Sequence, residues 1–425
     1  MKKLSSYLRK TNYKFLMYNL KETWRWFGAN DPITLSDIKM TGVKGIVTAL
    51  HEVPIGEIWQ LHDIVSLKEN IESYGLEWTV VESIPVHESI KYGGENRDKY
   101  INNYINSIEN LSLAGINILC YNFMPVVDWT RTNLRYKYND NSLALRFDII
   151  DFLIFDVFML KRDNSILEYS SEQLEIANER FNKMNPNDLK NLSNNILQGL
   201  PGSMVESYEL DSFKEKLNLY KGKQKVDLQN NFKYFLEKIV PIAEKNKVYL
   251  ALHPDDPPID LFGIPRIVSD LNDYQKICNF YPSEYNGITL CVGSLASKEC
   301  DIVDLLDKLI DKVNFVHLRN VKKDRENTFK YSFTESNHLD GDVDMNYVLS
   351  KLLYKKKSFK IPFRPDHGHL IYDDILKENI NPGYSYIGRL KGLSELNGII
   401  YSLSKKISYE KIIFEIENSK HKVIL

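Results

Sequence analysis

At 425 residues, with 43% apolar and 26% charged side chains and a net charge of −2, the chain can bury a large core. It carries neither the basic excess of a nucleic-acid binder nor the acidic composition of a solvating tail. The longest N-terminal apolar run, Phe15-Leu16-Met17-Tyr18, is far short of an export signal, so no export, membrane or nucleic-acid partner is expected.

In chain order, short β-branched or aromatic runs alternate with helical patterns: Thr23–Phe27, Gly45–Leu50, Glu77–Glu82, Asn117–Phe123, Val248–His253, Gly287–Val292, Asn314–Leu318 and Phe359–Phe363. Several are continuously apolar, as strands covered on both faces should be. Eight strand–helix alternations predict a parallel (β/α)8 TIM barrel, an α/β fold, filling residues 1–425 as one catalytic domain. The spacing breaks once, between strands four and five, where 133–235 is expected to be a helical insertion with helices near 142–162, 170–184 and 205–222. Its most apolar window, Ile149 to Leu160, contains Asp151 and Asp156, which favours a buried helix over a membrane span. Ile387–Ile407 has the period of a closing helix. Cys120, Cys278, Cys291 and Cys300 read as free thiols, and the cytoplasm is the expected compartment.

Barrel enzymes place their chemistry at the C-terminal strand ends. There the fifth strand ends in LALHPDDPP with His253, the sixth carries LCVGS with Cys291, the seventh reads NFVHLRN with His317, and the eighth runs into RPDHGH with Arg364, Asp366 and His367. Two imidazoles, a thiolate and a carboxylate on four consecutive strands suit a divalent transition metal and disfavour magnesium or calcium. Taken singly, each has a plainer use: a structural histidine, a small buried cysteine, an aspartate in a turn. Three or four protein ligands leave positions for a substrate oxygen. Asp366 would then bind metal and His367 serve as acid or base, with Gly368 permitting the bend that turns both into one pocket. A solvent-facing His367 is the alternative.

Arg25, Arg319 and Arg364 could each grip a substrate carboxylate through the planar guanidinium fork, salt bridges within the protein being the competing use. Trp24, Trp26 and Phe27 would form an aromatic wall, Trp24 against the substrate, with core packing the alternative for at least one. Two loops, Phe333–Asp342 and Asn381–Tyr384, lie where they could close the site, although Asp340-Gly341 and Pro382-Gly383 are also ordinary turn signals.

The stretches TWRWFG (23–28), GIVTALHEVPIGEIW (45–59), CYNFMPVVDWTRT (120–132), LALHPDDPP (250–258), GITLCVGS (287–294), FVHLRN (315–320), ESNHLDGDVDM (335–345), RPDHGH (364–369) and NPGYSYIGRLKGL (381–393) resemble the mannonate dehydratases of hexuronate breakdown. The resemblance covers nearly the whole chain and is weakest over 133–235. It implies a xylose-isomerase-like barrel that uses Mn²⁺ or Fe²⁺ to remove water from D-mannonate. It further implies metal ligands His253, Cys291, His317 and Asp366, an acid/base His367 beside Arg364, a pocket tyrosine at Tyr384 (with Tyr386 close by), and a homo-oligomer, a dimer. Competing readings are a sugar isomerase or epimerase on the same barrel, a multi-metal phosphodiesterase barrel, and a sugar-acid binder without catalysis.

Overall fold

The structure, a computed structural model, describes residues 20–198, 210–355, 359–377 and 379–421. The N-terminal apolar run and the first residues of the expected third inserted helix, 205–209, lie outside them.

Eight strands close into a parallel barrel: β1 (Leu20–Arg25), β2 (Gly45–Thr48), β3 (Glu77–Glu82), β4 (Ile118–Tyr121), β7 (Tyr249–Leu252), β8 (Asn286–Cys291), β9 (Val313–Leu318) and β12 (Ile361–Pro365). Every predicted strand is present, with no limit moved by more than three residues. Side chains alternate between the two faces of a strand. Val47, Val80, Ile118, Cys120, Ala251 and Phe315 point inward and fill the barrel as one apolar cluster. The outward set, including Trp24, Ile46, Leu119, Leu250 and Val316, packs under the helices. Two residues beyond this inner level the same parity aims Glu82, His253, Cys291, His317 and Arg364 at the C-terminal mouth, with Arg319 two residues further on. The register keeps them level, with Cys291 beside His317 and His317 beside Arg364.

The inserted segment is not purely helical. It opens with a hairpin, β5 (Asn133–Lys137) and β6 (Leu143–Phe147), which pairs antiparallel with β11 (Phe333–Ser336) and β10 (Asn320–Lys323) in a four-stranded sheet ordered β10-β11-β6-β5. Helices follow at Ser171–Lys183, Pro186–Leu197 and Leu210–Asn218, after a short α-turn and a π-helical stretch over Ile149–Met159. Ser170 and Asn185 start the first two with capping boxes. Lys225–Asn246 packs on the barrel helix Arg97–Leu113 as the crossover into β7, so the insertion ends about ten residues before the expected limit. The segment expected as a lid after the seventh strand holds β11, a strand of this sheet.

The closing helix runs Tyr386–His421. Its first turn lies backbone against backbone on the loop after β12. A Cβ on Gly368 would come within 2.4 Å of the Arg389 amide nitrogen and 2.5 Å of the Gly388 carbonyl carbon. Gly368 is therefore needed for close approach. The left-handed bend falls one residue earlier, at His367, with φ +49°. That reversal lets Asp366 and His367, neighbours in sequence, face the same cavity.

Candidate active site

The barrel mouth opens into a cavity of about 350 Å³, whose lining includes Arg25, Glu82, His253, Asp256, Arg364, Asp366, His367 and Tyr384. At its floor one ligand atom each from His253, Cys291 and His317 lie within 4.8 Å of one another. His253 Nδ1 is 2.7 Å from the Pro254 carbonyl oxygen and must donate to it, which leaves Nε2 as a lone pair. Burial lowers the pKa of His253 and favours this neutral form. His317 Nε2 lies 3.3 Å from Glu82 Oε1, and its Nδ1 lies 3.1 Å from His253 Nε2. A buried thiol at the third corner completes a soft, nitrogen- and sulfur-rich set. The residues thus fit a divalent transition metal.

Asp366 adjoins this trio, with Oδ2 3.8 Å from His317 Nδ1, and its other oxygen accepts from Arg364. Burial would raise its pKa, but Arg364, His367 and His317 hold it well below the usual carboxylate range. A second trio, Glu82, Cys120 and His317, is comparably compact. Glu82 there already accepts two bonds from Arg364, at 3.1 and 3.2 Å, and Cys120 is bonded to Thr289. Glu82 thus stands beside His317 already held by Arg364, where a carboxylate commonly orients a ligating imidazole.

His367 is 3% exposed, with Nδ1 3.1 Å from Glu335 Oε1. Burial works against the Glu335 carboxylate, but Arg319, His367 and Arg131 lower its pKa to about 2. An ionised Glu335 can only accept, so His367 Nδ1 donates to it. Around this contact Arg131 bonds both Glu335 (2.8 Å) and Asp256 (2.9 Å), and Arg319 bonds Asp256 (2.6 Å) and Glu335 (3.0 Å). Arg319 Nη1 also lies 3.8 Å from Cys291 Sγ. Tyr384 is buried, edge-on to Phe27 (4.8 Å) and to His367 (5.4 Å). Burial pushes its phenol upward, so it remains a neutral O–H.

The folded pKa of Glu335 lies below its ordinary 4.5, so its ionisation stabilises the fold above about pH 4.5, and that stability fades as pH falls through about 2. Glu335→Gln should therefore unfold more easily at neutral pH, by roughly 3 kcal/mol, with the gap closing on acidification. Denaturant titrations from pH 7 to pH 3 measure it; a gap that stayed constant would contradict the assignment.

A sequence model of the D-mannonate dehydratase family (UxuA) matches residues 20–410. The chain belongs to the D-mannonate dehydratase family. It is 45% identical over 393 residues to the mannonate dehydratase of Saccharophagus degradans, covering 90% of this chain and 98% of that one. Identity to mannonate dehydratase 2 of Agrobacterium fabrum is 44% over 401 residues, 92% and 99% of the two chains. The crystal structure of mannonate dehydratase from Streptococcus suis serotype 2 superposes with a TM-score of 0.73 at 35% identity, covering 91% of this chain and 96% of that one.

Against the expectations for a D-mannonate dehydratase, the fold brings His253, Cys291, His317, Asp366, His367, Arg364, Arg25, Arg319 and Tyr384 to one cavity or its floor. Trp24 does not reach it. Strand parity turns Trp24 under the helices, fully buried, where its ring lies tilted against Tyr386 at 5.8 Å and carries Arg389 4.1 Å above it. Arg319 and Arg364 are paired to carboxylates. Sequence reading missed Glu82, Asp256, Glu335 and Arg131. Glu82 and Asp256 sit at or just past strand ends, a positional signal that parity could have exposed. Glu335 and Arg131 join only through the four-stranded sheet.

Proposed function

We propose that the chain removes water from D-mannonate to give 2-dehydro-3-deoxy-D-gluconate, a step in hexuronate breakdown, with His253, Cys291, His317 and Asp366 holding Mn²⁺ or Fe²⁺. The observation that carries this is the cluster of His253, Cys291 and His317, its two imidazoles 3.1 Å apart, beside a cavity lined by Asp366 and His367. A divalent cation held by these residues would supply Lewis acidity toward substrate oxygens.

The chain's own groups divide the remaining work. His367 Nε2 takes the proton from C2, and Glu335 steadies the imidazolium through Nδ1–H. Tyr384, a neutral donor, gives its hydrogen to the C3 oxygen, which departs as water as the C3–O bond breaks. The C2–H electron pair becomes the C2=C3 bond, and the enol ketonises by losing its O2 proton as it gains one at C3. Proton return from imidazolium to phenolate restores both groups, and Arg364, 5.6 Å over the Tyr384 ring, favours the transient phenolate.

The charge count suits an acid substrate. In the inner ring Arg25, Arg131, Arg319 and Arg364 balance Glu82, Asp256, Glu335 and Asp366. A divalent cation with one thiolate would leave a single positive charge, matched by one substrate carboxylate. Arg25 is the guanidinium available to grip it. Among the described residues it forms no ion pair, donating instead to the Glu82 carbonyl oxygen and lying over the Phe27 ring. Arg25→Lys should lower kcat/KM by about 10- to 100-fold, mostly through KM, as expected when a bidentate grip is lost. Steady-state kinetics at constant metal content would reveal it, and an unchanged KM would move the carboxylate elsewhere.

The cytoplasm and a homodimer belong to the same reading; the four cysteines form no disulfide, as a reducing compartment would have them. The deciding experiment incubates metal-loaded protein with D-mannonate and assays the 2-keto-3-deoxy acid by mass and by its keto group. No product with either Mn²⁺ or anaerobic Fe²⁺ would overturn the proposal, and a product of unchanged mass would point to an isomerase instead.

A further inference from the structure

We propose that Arg389 is a positioning residue for this dehydration, fastening the strand end that carries Arg25 to the segment that carries Tyr384. The proposal rests on the roles given above to those two residues. Arg389 is fully buried in the first turn of the closing helix and does not line the cavity. Its guanidinium donates from Nη1 to the Arg25 carbonyl oxygen (3.0 Å), from Nη2 to that of Tyr384 (3.1 Å) and from Nε to that of Ser385 (3.0 Å).

A buried arginine usually meets a carboxylate, because desolvating an unpaired cation is expensive. Among the described residues Arg389 forms no such pair. Asp31, the acid whose charge favours it most, uses its oxygens on the Phe27 and Ile33 amides. All three nitrogens of the guanidinium are instead directed at main-chain carbonyls of two segments distant in sequence. Only a planar fork can serve three diverging acceptors at once; a lysine offers donors from one point.

The fork is itself braced. Trp24 lies 4.1 Å beneath it, a cation–π contact that accounts for a buried indole in the first strand. On its other side the Tyr384 ring is 5.2 Å away. Ser385 continues the tie, its hydroxyl near the Gly368 carbonyl oxygen (3.2 Å) and donating to that of His369 (2.8 Å), so the Tyr384 segment is clamped between β1 and the loop holding His367. Among the described residues the Tyr384 phenol makes no hydrogen bond to protein; its aim depends on where its backbone is held.

The test is a double-mutant cycle in the metal-loaded enzyme. Arg389→Lys should reduce kcat by about 30-fold with KM and metal content within about 3-fold of the parent, and should cost less than about 3-fold when added to Tyr384→Phe. Trp24→Phe, which keeps the three carbonyl bonds and trims only their platform, should lower kcat about 5-fold, again only when Tyr384 is present. It carries the test if Arg389→Lys does not fold. A purely structural arginine would lower the melting temperature and leave the same factor in both backgrounds. If Tyr384→Phe is impaired but the Arg389 and Trp24 effects are absent or equal in both backgrounds, the Arg389 proposal alone fails. If Tyr384→Phe is as active as the parent, the role of Tyr384 falls first and this proposal with it.

Discussion

His367→Asn should cut turnover by about 10³-fold while the bound cation stays in place. Asparagine is chosen for the backbone. Position 367 has φ +49°, which few side chains other than asparagine accept without strain, so the substitution removes the basic nitrogen without straining the bend that Asp366 needs. The side-chain amide could still face Glu335, but it has no lone pair of useful basicity. Metal content and melting temperature near those of the parent, together with a collapsed kcat, are the expected pattern. A variant within tenfold of the parent would show that the C2 proton goes elsewhere, and a variant that lost its metal would show that His367 supports the metal centre.

Stripping the divalent cation should abolish turnover and also loosen the fold. A cation held by His253, Cys291 and His317 would bind the folded chain alone, since only folding brings the three side chains together. A ligand that binds only the folded chain stabilises it by about 2.7 kcal/mol at a hundred times its Kd, so Mn²⁺ or anaerobic Fe²⁺ should raise the melting temperature of the stripped protein and restore activity together. Ca²⁺ and Mg²⁺ should do neither, since two imidazoles and a thiolate offer them poor ligands. Scanning fluorimetry of the chelated protein against each ion, alongside the product assay, measures both effects. Full activity after exhaustive chelation would remove the metal from the mechanism.

How much of this was legible beforehand follows from the range of the interactions. The barrel strands announce themselves because burial on both faces demands short apolar runs, and that is a local property. Their C-terminal ends then give His253, Cys291, His317 and Asp366 by position alone. The hairpin Asn133–Lys137 and Leu143–Phe147 was hidden because the first strand is half-exposed and polar, with Arg135, Tyr136 and Lys137 turned to solvent. Its partner β11 lies almost two hundred residues on, a distance no local pattern spans. Glu335 and Arg131 were missed for the same reason. Trp24 was misassigned through face rather than type: one step of strand parity separates it from Arg25. The bend after β12 was credited to Gly368 because glycine usually supplies positive φ, whereas here glycine makes room for the closing helix and histidine itself turns.

The sheet that joins β5 and β6 to β11 has a further consequence. On the proposed reading the cation ligands His253, Cys291, His317 and Asp366 sit on barrel strands or directly after them, whereas Glu335, which contacts the His367 imidazole, comes from β11 of the four-stranded sheet. Binding and proton transfer would then rest on separate modules, so changes to that sheet should retune proton transfer while leaving the metal cup intact.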